Sequence, residues 1–428
     1  MSDIFESPPY KRSRAAYYIQ CVTEYLVTIL LADAYLAKLL KSMGFSDSLI
    51  GIVSSLTSLA FLVQLITILL MRHIRNVKMT VILIDISSML CFMFTYLLPV
   101  IPAEGVLKSA LVFGTIGGGF LLKYLQLNLY YRWGQSFVRP DGRGIFAARN
   151  EAISMAAGVV FTLIVGNMVD YYEKRGRLDR CFLLIASVIG VLTVLDLVML
   201  LSIQRHDQEE AFIQKKSFGD ILKNTLGNKN FRNAVIMIVM YDFGRYITVG
   251  FLGTFKTQEL LLTVGTVQLI NICGNSLRCV LSGAMGRWAD RTSYAHVYRM
   301  GLWLCAFSFF LLMFATKERW WLIIGYTVFY DVSMAGLGAN ANNMTYSYVP
   351  IDYFIPAQAI RSSISGSVGF LASLAGSRIL RAVQAGGNRL FGFQLFGQQI
   401  LAAISLFVIL AAIIFNKCVV EKQRIMKQ

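Results

Sequence analysis

Charge is thin in this chain. Charged residues make up 15% of 428, and only 24 are Asp or Glu. A soluble domain carries about 25% charged residues. There are three histidines, His73, His206 and His296, all in polar connections, which argues against a histidine proton relay inside an apolar run. The seven cysteines show no C-x-x-C spacing, and most sit in apolar runs as small hydrophobes, so neither a disulfide framework nor a metal site is expected. No G-x-x-x-x-G-K-[ST] sequence occurs, which argues against ATP hydrolysis on this chain. No cluster of His, Cys or paired carboxylates stands at an interface, so no enzyme, cofactor or metal is expected. Residues 1–14 are polar and lack the short apolar region of a cleaved signal, so the first span is expected to be retained.

What the chain has is apolar length. Hydrophobic residues make up 56%. About 20 apolar residues in a helix cross a bilayer, and runs of that size recur from end to end. Spans are expected near 16–40, 48–71, 79–100, 107–131, 149–170, 181–203, 233–255, 260–283, 299–316, 320–347, 361–384 and 394–417. The expectation is an all-α polytopic membrane protein of about twelve transmembrane helices. The 34 glycines suit close helix contacts in lipid. The formal charge of +16 could point to nucleic acid, but the Lys and Arg are spread through loops, so none is expected as a partner. Their larger share falls on the side of Lys11, Arg12, Arg75, Arg139, Lys215 and Lys422. By the positive-inside bias both termini are cytoplasmic, in a plasma (inner) membrane.

The longest connection, 204–232, divides the chain into 1–203 and 233–428, each with six spans. The halves echo one another. Glu24 and Lys38 in span one match Asp242 and Lys256 in span seven at one common offset, and Pro140 with Arg149 is matched by Pro350 with Arg361. Parallel six-span repeats are a transporter architecture with a site near midplane.

Three loops carry a family resemblance. Gly286-Arg287-Trp288-Ala289-Asp290-Arg291 resembles the G-x-x-x-D-R loop of the major facilitator superfamily. Pro140-Asp141-Gly142-Arg143-Gly144 resembles its P-x-x-R-G pattern, and Gly44-Phe45-Ser46-Asp47 with Ile50-Gly51 resembles its link between the first two spans. The loop from Met71 to Lys78 departs from the pattern in lacking the aspartate. The G-R-R continuation after Arg291, the Gly-Pro antiporter motif in span five and the sugar-porter signatures are also missing. The resemblance implies two pseudo-symmetric six-helix bundles, a monomer, and a cytoplasmic latch of Asp290, Arg291, Arg143, Arg149 and Arg361. In that latch Asp290 would cap a facing helix or pair with Arg149 or Arg361.

Charges inside the spans are the functional signal, since each costs about 2.5–3.5 kcal/mol to insert. They are Glu24, Asp33, Asp85, Lys123, Asp196, Asp242, Arg245, Arg278 and Asp331. Most lie on spans one, four, seven and ten, which line the cavity in the family the chain resembles. The candidate substrate and coupling residues are therefore Glu24, Lys123, Asp242, Arg245 and Asp331, with Asn128 and Asn340. Glu24 is preferred over Asp33, which a continuous helix would put on the opposite face and which can pair with Lys38. Asp242 and Arg245, one helical turn apart, read either as a self-neutralised pair or as a carboxylate beside an anion-holding cation. Lys123 and Asp331 are expected to pair, either permanently or until a solute intervenes. Asp85 and Arg278 read as interfacial, and Trp133, Trp288, Trp320 and Trp321 as belt residues.

The leading expectation is a secondary active transporter for a small polar or charged solute, working by alternating access, with the proton as a candidate coupling ion. Two alternatives stay open: an exporter of amphipathic compounds, and a non-transporting membrane receptor on the same fold.

Overall fold

The structure, a computed structural model, describes residues 7–70, 74, 76–102, 105–138, 143–204, 218–350, 353–390 and 393–423. Helices begin where a polar side chain caps the free N–H groups of the first turn. Ser46 accepts from Leu49 N at the start of α3 (Asp47–Ala60), and Asn76 accepts from Met79 N at the start of α5 (Val77–Leu97). Asn228 opens α10 (Lys229–Val249), Thr263 opens α12 (Val264–Arg291), and Ser293 opens α13 (Tyr294–Leu312) in the same way. Before α14 (Leu322–Tyr346), Glu318 stands in the connecting turn. Its own backbone N–H and the Thr316 hydroxyl hydrogen-bond its carboxylate and hold it below the usual carboxyl range.

The first span is broken. Helix α1 (Pro8–Leu30) and α2 (Asp33–Ser42) meet at a 50° bend. Asp33 starts the second segment with a φ of 46°, a left-handed conformation uncommon outside glycine. The Leu30 carbonyl, released by the break, accepts from the buried Tyr96 hydroxyl at 2.5 Å. The opposite-face argument for Glu24 and Asp33 assumed one continuous helix and does not apply across this bend. In the second half, Lys229–Glu259 runs as one span, and only the type of helical turn changes along it. There α10 stops at Val249 and gives way to α11 (Leu252–Thr254) and a π-turn at Phe255–Glu259.

Among the described residues, nine helices are long and apolar enough to cross a membrane, and the bent α1–α2 pair makes a tenth. Two further long helices, α12 and α15 (Phe354–Ala385), fall where the eighth and eleventh spans were expected. Arg278, Asn271, Arg361 and several serines make them too polar for the same test.

Packing divides the chain into two units, Met1–Gly44 with Ile66–Lys215, and Phe45–Leu65 with Lys216–Gln428. In the first, α5 packs against α6 (Gly105–Ser136) and α8 (Leu178–Ser202), while α1 packs against α7 (Arg143–Lys174) and α8. Trp133 lies fully buried there among Tyr17, Leu129 and Phe137, so it is a core residue and not a belt residue. In the second unit, α14 packs on α12 and α13, while α15 packs on α10 and α3. A two-residue hairpin, β1 (Arg389–Leu390) with β2 (Phe393–Gln394), precedes α16 (Gly397–Phe415). Val191, Val194 and Val198 on α8, and Phe407 and Ile414 on α16, are all exposed, as lipid-facing stripes require.

Candidate functional site

Each unit holds its own set of membrane-embedded polar groups. In the first unit the set starts on α1. Gln20, Glu24 and Thr28 are four residues apart and share one face. Lys123 of α6 reaches that face, with its Nζ 2.9 Å from Glu24 Oε1 and 2.6 Å from Thr28 Oγ1. Both side chains are largely buried, at 15% and 18% exposure. Lys123 therefore takes Glu24 as its carboxylate within this unit. Lys38 pairs with Glu173 at 2.5 Å, so Glu173 takes the place given to Asp33.

Deeper in the same unit, Thr23 Oγ1 donates to Asp196 Oδ1 at 2.5 Å, and Gln126 Nε2 donates to Asp85 Oδ1. The carboxyl groups of Asp85 and Asp196 are within hydrogen-bonding reach of each other. Asp85 is 2% exposed, so it is no interfacial residue, and that expectation is corrected. Below them, the Tyr130 hydroxyl donates to Gln20 Oε1, and the ring of Tyr130 stacks on Tyr17. The side chain of Asn128 lies outside the described residues.

In the second unit, Arg245 on α10 is framed by aromatic rings. Its Nη2 donates to the Tyr246 hydroxyl at 2.7 Å, and its Cζ stands 4.3 Å and 5.9 Å from the ring centroids of Tyr246 and Tyr241. Tyr330 of α14 lies within its electrostatic reach and stacks on Tyr326. Arg245 Nε is buried without a hydrogen-bond partner. Asp242, one turn before Arg245, lies in the field of both Arg245 and Arg361, beyond direct ion-pair contact with either. Arg361 Nη2 donates to Asn342 Oδ1 at 2.8 Å.

Asp331 turns toward α12. A Cβ on Gly274 would fall 2.1 Å from Asp331 Oδ2, so that glycine makes room for the carboxylate. Asn340 is buried at 1% exposure and donates to the Gly336 carbonyl of its own helix at 2.8 Å.

Of the latch residues, Asp290 and Arg291 are exposed at the end of α12, and Asp290 accepts from the Tyr294 hydroxyl at 3.5 Å. Arg361 donates to Asn342. Arg149 is exposed on α7. The side chain of Arg143, and residues 139–142 of the P-x-x-R-G loop, lie outside the described residues.

Several of these partners were legible as spacing. Gln20 and Thr28 sit one turn to either side of Glu24, and Gln126 sits three residues after Lys123. Asp196 and Thr23 come from helices far apart in sequence, and no periodicity joins them.

No family model matches the chain, and no curated protein matches it. Solved structures do. A nucleoside transporter, NupG, is 12% identical with a TM-score of 0.73, over 94% of this chain and 99% of that one. A POT family peptide transporter is 10% identical with a TM-score of 0.71, over 97% and 98%. A D-xylose-proton symporter is 12% identical with a TM-score of 0.69, over 94% and 97%. At these identities the likeness concerns the fold alone. The chain is a multi-pass membrane protein with the major facilitator-type fold.

Proposed function

We propose that this chain is a secondary active transporter, working by alternating access, for a small polar solute that carries an anionic group. The observation that carries the reading is Arg245. A guanidinium stays charged under all physiological conditions. In a membrane span it needs a counter-charge, water or a ligand. Here Asp242 supplies a counter-charge at longer range, while the direct contacts are a tyrosine hydroxyl and two ring faces, which orient the planar fork of Arg245 and leave Nε unpartnered. A carboxylate or phosphate oxygen suits that remaining donor. The same reading takes 1–203 and 233–428 as the repeat halves joined by 204–232. It also takes both termini as cytoplasmic in a plasma membrane, the working unit as a monomer, and Asp290 with Arg291 as part of a cytoplasmic latch. The three similar transporters are named for nucleosides, peptides and a sugar with a proton, which makes a polar solute the class to screen.

The test is a thermal-shift screen on the purified protein, followed by uptake in liposomes. The panel holds small carboxylates, phosphorylated compounds, nucleosides, peptides and sugars. Stabilisation by an anionic polar solute, lost in Arg245→Ala, supports the reading. Stabilisation by lipophilic cations alone would overturn it in favour of an amphipath exporter. That second reading draws on an apolar groove of about 480 Å³ whose lining includes Val235, Val239, Phe243, Ile364, Val408 and Arg232.

A further inference from the structure

The Asp85 and Asp196 carboxyls contribute nothing to the reading above, and their geometry sets a chemical requirement. An ionised carboxylate only accepts hydrogen bonds. Two such groups within hydrogen-bonding reach can satisfy each other only if one of them carries a proton. Both are essentially removed from solvent, at 2% and 0% exposure. The donors around them are few. Gln126 serves Asp85 Oδ1 and Thr23 serves Asp196 Oδ1. That leaves Oδ2 of each carboxyl as the unsatisfied atom. Gln126, itself 2% exposed, keeps its Oε1 without a partner, so it is an acceptor with no donor to meet. Three acceptor atoms are left without a partner against one donor, Gln20 Nε2, so acceptors outnumber donors in this cluster and a proton supplies the shortfall.

We propose that Asp85 and Asp196 form a proton-binding site, in which the two carboxyls share one proton and the neighbouring Glu24–Lys123 pair tunes its hold. The ionisable groups acting on the pair are Glu24 from α1 and Lys123 from α6. Helix α7, which also packs on α1 and α8, carries no ionisable residue between Glu151 and Asp170. With one shared proton the acids carry one negative charge, and Glu24 and Lys123 cancel each other. A second proton makes the whole cluster neutral, and loss of the first puts two charges side by side in a dry site. If a solute anion draws Lys123 away from Glu24, the uncompensated Glu24 charge favours uptake of the second proton from water. By linkage, that proton then favours the solute-bound state equally. This coupling step rests on the transporter reading; the shared proton itself does not.

Infrared difference spectroscopy on the full-length protein in liposomes, without any solute, separates the two. A protonated-carboxyl C=O band is expected at neutral pH, shifted in D2O, and lost in both Asp85→Asn and Asp196→Asn. Asparagine copies the shape and the donor of a protonated aspartate, so both variants should fold. Glu24→Gln should move the disappearance of the band to lower pH, and Lys123→Met to higher pH, each by roughly tenfold in proton affinity. A purely structural role would not produce opposite shifts from these two neighbours. Absence of the band in folded wild-type protein, or its survival in both aspartate variants, overturns the proposal. Should Asp85→Asn not fold, Asp196→Asn and the two opposite shifts decide alone.

Discussion

Lys123 and Glu24 close an ion pair of 2.9 Å inside the first unit, and Thr28 receives a second hydrogen bond from the same ammonium at 2.6 Å. Two largely buried charges depend on each other, because removing one leaves the other desolvated and unpaired. Glu24→Gln or Lys123→Met alone should therefore lower stability by about 3 kcal/mol. The double variant, which removes both charges, should recover most of that loss. Unfolding of the four proteins in detergent gives the coupling energy directly. A double variant as unstable as the sum of the singles would mean that the pair is not coupled.

The Lys38–Glu173 pair offers the contrast. Its 2.5 Å contact is shorter, yet Glu173 is 40% exposed. Water and salt screen such a pair, and exposed pairs contribute about 0.2–1 kcal/mol. Glu173→Gln should therefore change stability by less than about 1 kcal/mol. A loss as large as that for Glu24→Gln would show that exposure is the wrong guide here. The comparison needs only the two melting curves at low and high salt.

The spans and their order were legible because apolar length is a property of the chain alone. The helix break at Leu31–Ala32 was not legible, since neither residue is a proline or a glycine. It is stabilised from elsewhere, by the Tyr96 hydroxyl on the Leu30 carbonyl. Charge partners failed for a related reason. Position along a run gives depth in the bilayer, but not the rotation that turns Asp85 to Asp196 or Lys123 to Glu24. Trp133 was misread in the same way, since its place near a span end says nothing about which side of the helix it occupies.

Arg245 tests whether fork geometry or charge alone is needed. Its guanidinium lies on the Tyr246 ring and donates to that tyrosine's hydroxyl. Lysine keeps the charge but loses the planar fork. Arg245→Lys should weaken binding of an anionic solute by roughly tenfold or more, the loss of about one bidentate contact. Arg245→Ala should abolish binding, and Tyr246→Phe should fall between wild type and Arg245→Lys. Equal affinity for wild type and Arg245→Lys, measured by calorimetry with the screened solute, would reduce Arg245 to a point charge.

Two glycines of the second unit separate a tolerable clash from an intolerable one. At Gly366 on α15, an added Cβ would meet the Ser58 carbonyl oxygen of α3 at 2.2 Å. That oxygen belongs to a helix backbone and can move only if the helices part. At Gly274 the nearest obstacle is Asp331 Oδ2 at 2.1 Å, a side-chain atom rather than backbone, with Asp331 Cγ at 3.0 Å and Cβ at 3.2 Å behind it. Gly366→Ala should therefore destabilise the unit by about 1–3 kcal/mol through overpacking. Gly274→Ala should leave the melting temperature closer to wild type while displacing the Asp331 carboxylate. If Asp331 contributes to solute handling, that variant loses uptake in liposomes while remaining folded. Equal destabilisation by both alanines would mean that Asp331 is held as rigidly as a backbone, and that its carboxylate is a structural element of the α12–α14 contact.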